Sequence, residues 1–248
     1  MYSSTQHTTE VQDVVAETLG LGFHQVVCIC RRMGGAFGGK ESQAGIPAIM
    51  AALAASRTGR PARLIYDKDS DMRVTGKRHA YLARYRVAHS EQGQILAVKF
   101  DFFSNGGAFA DLSTSILERT MLHADNAYYI PHIDIHAAIC RTNLPPNTAF
   151  RGFGGPQGVA AIEHIVQEIA RRTGRDSYDV RQLNCYGIEE RNTAPYGQII
   201  TNKLLPEIMH RLRGSSDYDR RRVEVDDFNR TSRTHLRGLA MTPVKFGI

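Results

Sequence analysis

Hydrophobic residues recur at helical spacing in several segments of the chain. Residues 9–19 carry an apolar stripe that stops at Gly20, residues 46–57 form an alanine-rich run, and another run begins at Pro156. Each pattern predicts a helix, and a further helix is expected near residues 204–212. The side chains expected to face inward are Val11, Val14, Val15 and Leu19 in the first helix, and Val159, Ile162, Val166 and Ile169 in the helix at Pro156.

Strand-like segments separate these helices. The predicted strands are residues 26–31, 62–66, 81–88, 95–103 and 133–140. The turn-forming residues 91–94 (EQGQ) lie between two of them and predict a hairpin, whose second strand is expected to break at residues 105–107 (NGG). These elements favour an α+β fold, with mixed sheets and flanking helices.

Composition favours a folded protein without a membrane anchor. The 248 residues are 42% hydrophobic, enough for one large domain or two small ones. The sequence has neither an apolar run of roughly 18 residues nor an apolar signal segment at its start, so we expect no membrane contact and a cytoplasmic location. The four cysteines include no CxxC pair, and buried free thiols are expected at Cys28, Cys30, Cys140 and Cys185.

The positive charge does not predict nucleic-acid binding. The net charge is +6, but the basic residues are dispersed, and their densest cluster, residues 220–222, lies among Asp217, Asp219 and Glu224. Only Tyr218 lies near these arginines, whereas single-strand binding requires interleaved aromatic residues. A solvated helix face is the preferred interpretation.

Two glycine-rich loops carry the candidate chemistry, at residues 34–41 (GGAFGGKE) and 147–157 (NTAFRGFGGPQ). Glycine lacks a Cβ and tolerates positive φ, so such loops bring peptide N–H groups close to a ligand. A phenylalanine between glycines has few neighbours to pack against and is better placed to contact a planar ligand. A nucleotide-phosphate site is disfavoured because Lys40 is followed by Glu41 and not by Ser or Thr.

Both loops resemble the molybdenum-cofactor domain of xanthine dehydrogenases, within the molybdenum hydroxylase family. The segments 4–6 (STQ) and 116–119 (ILER) match the same family in the same order, so the resemblance extends from about Ser4 to the end of the chain. It implies an oxidoreductase that uses a molybdenum–molybdopterin cofactor and water-derived oxygen. In such enzymes the pterin dithiolene holds the metal, and no protein side chain is a ligand.

The resemblance also assigns roles to individual residues. Glu41 and Arg119 match the catalytic pair that binds a purine, and Phe153 matches the ring that stacks on it. Gln6 matches a hydrogen-bond donor to the oxo group, and Gln6, Phe37, Ala149 and Arg151 would lie near the molybdenum. Without the resemblance, Gln6 would be interpreted as a surface glutamine. For Phe153 a core position is the competing interpretation, but the flanking Gly152 and Gly154 favour stacking, because glycines give a core ring little to pack against. The cofactor-binding residues implied are Gln6, Phe37, Gly38, Gly39, Ala149, Phe150 and Arg151.

The resemblance further implies that residues 1–248 are a partial cofactor-binding domain. The family's general base and further pterin-binding residues would follow Ile248, and iron–sulfur and FAD groups would belong to other domains or subunits of an oligomeric assembly. The implied reaction converts hypoxanthine to xanthine and then to urate, and the isolated chain is expected to be inactive. Two alternatives remain open: an aldehyde oxidase-type hydroxylase, and a truncated, non-catalytic binding or assembly module.

Overall fold

The computed structural model describes residues 1–187, 189–201 and 204–247, in which helices are interspersed with three strands. The helices are α1 Thr8–Leu19, α2 Gly45–Thr58, α3 Lys68–Val74, α4 Ser113–Leu122, α5 Gly155–Thr173, α6 Ser177–Asn184, α7 Leu204–Ser215 and α8 Tyr218–Thr231, with a 3-10 turn at Phe23–Gln25. The strands are β1 Tyr81–His89, β2 Ile95–Gly107 and β3 His132–Arg141, which form a sheet in the order β1-β2-β3. The α+β fold class is confirmed.

The chain divides into two compact units, each built from three segments. The first unit comprises Met1–Leu82, Phe102–Arg119 and Ala137–Gly154. The second comprises Ala83–Asp101, Thr120–His136 and Gly155–Ile248. All ten residues to which the sequence assigns site roles fall within the first unit.

In the first unit, α1 packs against α2 through small apolar side chains. Val11, Val15 and Ala16 are buried on one face of α1, whereas Val14 and Leu19 are only partly buried. Gly20 ends α1 with a φ of 66°, a left-handed conformation that glycine adopts without strain. The helix predicted at residues 9–19 is therefore confirmed. Helix α2 also confirms its prediction, with one more residue at each end.

In the second unit, α5 supplies the centre of the core. Ile162, Val166 and Ile169 are at most 1% exposed, as the apolar spacing predicts, while Val159 is half-buried. The predicted hairpin is also confirmed, because β1 and β2 are joined by residues 90–94.

The buried amide of Asn184, at the end of α6, holds the second strand of this hairpin and its turn. Its oxygen accepts the N–H of Ile95 at 2.8 Å, and its nitrogen donates to the carbonyl of Gly93 at 2.9 Å. Two backbone groups that the turn leaves unpaired thereby obtain partners within the second unit.

Three strand predictions are wrong. Residues 26–31 form a single bridge, between Ile29 and Tyr2, and alternate residues are exposed. Residues 62–66 are extended without forming a ladder among the described residues, and β2 continues through residues 105–107 instead of breaking there. Strand-like side chains do not create a strand unless a partner backbone is available for pairing.

Several helices are absent from the sequence predictions, namely α3, α4 and α6, and the predicted solvated helix face at residues 220–222 lies on α8. The placement of this arginine cluster on a charged helix agrees with the predicted solvated face. The cysteine prediction is wrong in part, because only Cys185 is buried, whereas Cys140 is exposed and Cys28 and Cys30 are half-buried. Within the described ranges, no helix combines the length and apolarity needed to cross a membrane.

Candidate cofactor and substrate site

Hydrogen bonds connect the first glycine loop to the residues that precede α1. The side-chain oxygen of Gln6 accepts the peptide N–H of Gly38 at 2.9 Å and that of Lys40 at 3.3 Å. The backbone N–H of Gln6 donates to the carbonyl of Lys40 at 2.9 Å. These bonds fix the orientation of the Gln6 amide, and its nitrogen has no partner within the described part of the chain. Gln6 is therefore a donor directed away from the loop.

The second glycine loop lies directly against the first. A Cβ built on Gly38 would lie 2.9 Å from the carbonyl carbon of Ala149 and 3.1 Å from the nitrogen of Phe150. A second contact lies beside this one. The hydroxyl oxygen of Ser42, which follows the first loop, lies 3.2 Å from that of Thr148 in the second loop. Since Gly38 also has a φ of 95°, both its conformation and this close approach require glycine.

The two loops differ in how many of their peptide N–H groups are available to bind a ligand. Gly38 donates to Gln6, and Gly39 donates to the carbonyl of Ala36 at 2.9 Å, so both glycine N–H groups are used internally. The N–H groups of residues 149–151, in contrast, have no acceptor among the described residues. The second loop therefore presents three successive donors, and the first contributes close backbone approach.

Both loop phenylalanines adopt a backbone conformation that is uncommon for bulky residues. Phe37 has a φ of 53° and Phe153 a φ of 48°. Phe37 is 64% exposed, which excludes it from the core, and Phe153 is half-buried. Strain of this kind, of about 1–3 kcal/mol per residue, persists where the surroundings enforce it and is frequent in binding sites.

Arg119 and Phe153 form a pair within the first unit. The Arg119 guanidinium carbon lies 5.9 Å from the centre of the Phe153 ring, at the limit of a cation–π contact. Helix α4 carries this arginine in its last turn. The structure thus brings together a cation and an aromatic ring, two of the three groups that the sequence assigns to substrate binding.

Glu41, the third of these groups, follows the first loop directly. Its N–H donates to the carbonyl of Gly38 at 3.0 Å, which ties the residue to the turn. The carboxylate is half-buried and forms no ion pair with the described residues. It is therefore available to accept a hydrogen bond from a ligand.

Arg78, which the sequence does not mark as a site residue, contacts the second loop. Its Nη2 donates to the carbonyl of Arg151 at 2.6 Å, and its guanidinium carbon lies 4.5 Å from the centre of the Phe150 ring. Arg78 lies outside both glycine motifs, in a segment without periodicity. Its only sequence signal is its place in the polar run Lys77-Arg78-His79 before β1.

The donors assembled here suit an organic group rich in oxygen and nitrogen acceptors. The hydrogen-bond donors are the three peptide N–H groups of residues 149–151, the Gln6 amide nitrogen and an arginine guanidinium. The exposed ring of Phe37 adds a flat apolar surface. These features fit a pterin-type cofactor that brings its own metal ligands.

Comparisons with known proteins agree with this arrangement. The molybdopterin cofactor-binding domain family matches residues 1–185. A xanthine dehydrogenase of Drosophila subobscura is 46% identical over 248 residues, which cover 100% of this chain and 18% of the relative. The chain thus spans only a small part of the relatives that it matches.

Solved structures share the fold. An aldehyde oxidoreductase from Desulfovibrio gigas matches with a TM-score of 0.80 and 26% identity, over 94% of this chain and 25% of that one. For quinoline 2-oxidoreductase from Pseudomonas putida 86 the TM-score is 0.82 at 21% identity, over 92% and 30% of the two chains, which supports the fold alone. With three quarters of its residues matched, the chain belongs to the molybdopterin cofactor-binding domain family.

Proposed function

We propose that this chain forms the first half of the molybdenum site in a hydroxylase that oxidises purines, from hypoxanthine to xanthine to urate. The observation that carries the proposal is the close contact of Gly38 with Ala149 and Phe150, which joins the two glycine loops into one binding surface. Near this contact lie a directed amide donor, three peptide N–H groups without an acceptor among the described residues, and an arginine beside an aromatic ring.

The chain's own residues bind and orient the cofactor. The Gln6 nitrogen donates to an oxygen of the cofactor, and the N–H groups of Ala149, Phe150 and Arg151 donate to its acceptor atoms. Phe37, Gly38 and Gly39 shape the surface against which it lies, by an exposed ring and by backbone without side chains. When bound, the molybdenum cofactor supplies the two-electron oxidation and the oxygen transfer.

Three side chains hold the purine. Phe153 stacks on the planar ring, which positions the reacting carbon. Glu41 accepts a hydrogen bond from a ring nitrogen or shares its proton. Arg119 stabilises the negative charge that develops on a purine oxygen, and this charge is larger in the transition state than in the ground state.

The chain provides only part of the enzyme under this proposal. It corresponds to 18% of the length of the Drosophila relative, so we assign the general base, the remaining pterin contacts, and the iron–sulfur and FAD groups to other parts of an oligomeric assembly. Residues 1–248 are then one partial cofactor-binding domain. We also propose a cytoplasmic location, supported by four cysteines that are all free, as is usual in a reducing compartment.

The test is substrate selectivity in the whole enzyme that contains this segment. Glu41→Val should lower kcat/KM for hypoxanthine by roughly 100-fold, about 3 kcal/mol of transition-state binding, and affect an aromatic aldehyde far less. Glu118→Val, an exposed position on α4, is the matched control and should change neither. Metal and pterin analysis of the wild type comes first, because an enzyme without molybdopterin would refute the cofactor assignment.

An aldehyde oxidase-type activity is the second candidate. The Desulfovibrio gigas structure, an aldehyde oxidoreductase, supports it through its TM-score of 0.80 at 26% identity. The carboxylate of Glu41, which has no ion-pair partner in the described part of the chain, and the cation at Arg119 favour a polar heterocycle over an aldehyde. Equal loss of purine and aldehyde turnover in Glu41→Val would reverse this preference.

A further inference from the structure

Arg78 contacts two consecutive residues of the second glycine loop in different ways. Its Nη2 donates to the carbonyl of Arg151 at 2.6 Å, and its guanidinium carbon lies 4.5 Å from the centre of the Phe150 ring. These residues supply two of the three peptide N–H groups that have no acceptor within the described ranges. By holding the carbonyl that directly follows these donors, and the ring of the residue between them, Arg78 restrains the backbone segment that carries them.

The charge of Arg78 is not neutralised within the part of the chain that the structure describes. No carboxylate there forms an ion pair with it, and its Nη1 is buried without a hydrogen-bond partner. A buried cationic donor without an acceptor is unfavourable, and burial lowers the pKa of Arg78 below its usual value. A ligand bound beside the loop would supply the acceptor that Nη1 lacks.

We propose that Arg78 is a positioning residue for the cofactor. It orients the N–H groups of Phe150 and Arg151, and it donates from Nη1 to an oxygen or nitrogen at the cofactor's edge. This inference rests on the proposed function, since it takes the ligand of the second loop to be the molybdenum cofactor. Lysine cannot replace arginine in this role, because an ammonium has no planar fork to cover the ring and donate in two directions.

The test compares cofactor release with the stability of the protein itself. Arg78→Lys and Arg78→Met are made in the whole enzyme, and molybdenum and pterin are measured in the retained fraction during dialysis. The same variants of the whole enzyme, prepared without cofactor, give the melting temperature of the protein itself. Arg73→Lys and Arg73→Met, at an exposed arginine in the last turn of α3, are the matched controls.

Arg78→Lys should release the cofactor roughly 10-fold faster than the wild type, the loss expected for one charge-assisted hydrogen bond, and its cofactor-free melting temperature should stay unchanged. Arg78→Met should release it faster still, and both Arg73 variants should match the wild type. Retention by Arg78→Lys within twofold of the wild type would overturn the inference. So would a fall in melting temperature that parallels the loss of cofactor, because that result indicates a structural role only. A wild type without cofactor would instead refute the proposed function, and this inference with it.

Discussion

The side-chain oxygen of Gln6 accepts the peptide N–H of Gly38 at 2.9 Å, across 32 positions of the sequence. Because the oxygen is bound to the loop, the amide nitrogen is directed to the other side. The same side chain thus holds the loop and presents a donor. These two functions can be separated by substitution, since glutamate has the acceptor atoms of glutamine but lacks the amide donor.

Gln6→Glu should therefore leave the folded chain almost unchanged and still disable the site. We expect its free energy of unfolding to stay within about 0.5 kcal/mol of the wild type, whereas Gln6→Ala should lose about 1–2 kcal/mol with the bonds to Gly38 and Lys40. In the whole enzyme both variants should lose turnover. Urea unfolding of the chain and steady-state assays of the enzyme measure the two effects, and full turnover by Gln6→Glu would contradict the donor role.

The contact between the two loops depends on the missing side chain of Gly38. Gly38→Ala combines a positive φ of 95° with a Cβ only 2.9 Å from Ala149, so we expect a loss of about 2–4 kcal/mol in unfolding free energy. Gly34→Ala measures the cost of the backbone conformation alone, because Gly34 has a φ of 69° but a Cβ there would meet no described atom within 4 Å; it should lose about 1 kcal/mol.

Gly39→Ala completes this series, since its nearest neighbour would lie at an ordinary 3.4 Å and its φ is not in the left-handed region. It should change the unfolding free energy by less than about 0.5 kcal/mol. If urea unfolding gives equal losses of unfolding free energy for all three alanine variants, the close contact between the loops does not contribute to stability.

Elements that depend on their own side-chain spacing were predictable, and elements that depend on distant partners were not. Helix α5 follows from the 3.6-residue period of Ile162, Val166 and Ile169, which are all buried. Residues 26–31 have strand-like side chains, but among the residues that the structure describes they form a single bridge, to Tyr2. A pairing partner is set by the whole fold, and short apolar runs carry no information about it.

The candidate site shows the same limit. The glycine loops were recognisable because their composition departs strongly from that of ordinary turns. Arg78 was not recognisable, because a lone arginine outside a motif is usually a solvated surface residue, and only the fold brings it to the carbonyl of Arg151.

His79 provides a pH-dependent contribution to stability. The imidazole is 2% exposed, its Nε2 lies 2.7 Å from the hydroxyl oxygen of Ser113, and burial lowers its pKa, against the opposing charge of Asp111. An unfolded histidine takes up its proton near pH 6.5, so on acidification the unfolded state binds the proton first. Stability is therefore complete above that pH and falls as the pH decreases through it, with a slope of at most about 1.4 kcal/mol per pH unit.

His79→Gln, which keeps a polar group near Ser113, should reduce this slope. Urea unfolding of the wild type and the variant between pH 7.5 and 5.5 gives the difference directly. His132→Gln removes an exposed histidine on β3 and should leave the slope unchanged. Identical slopes for His79→Gln and the wild type would contradict the effect of burial on the His79 pKa.

Two glutamates on α5 offer a matched comparison of buried and exposed charge in the second unit. Glu163 accepts the Nε–H of Arg181 at 2.8 Å, and the arginine side chain is only 3% exposed. Glu168 pairs with Arg171 at 2.7 Å, but that arginine side chain is 67% exposed. Glu163→Ala should lower the free energy of unfolding by about 3–5 kcal/mol, because it leaves a buried cation without its counter-charge.

Glu168→Ala, the control, should cost less than about 1 kcal/mol, since water solvates Arg171 once its partner is gone. Glu163 also accepts hydrogen bonds from Asn126 at 2.9 Å and from the hydroxyl of Tyr128, so Glu163→Gln separates charge from shape. If the charge dominates, Glu163→Gln should be nearly as unstable as Glu163→Ala in urea unfolding. If Glu163→Gln instead matches the wild type, the ion pair with Arg181 contributes little, and the side-chain shape at this position stabilises the core.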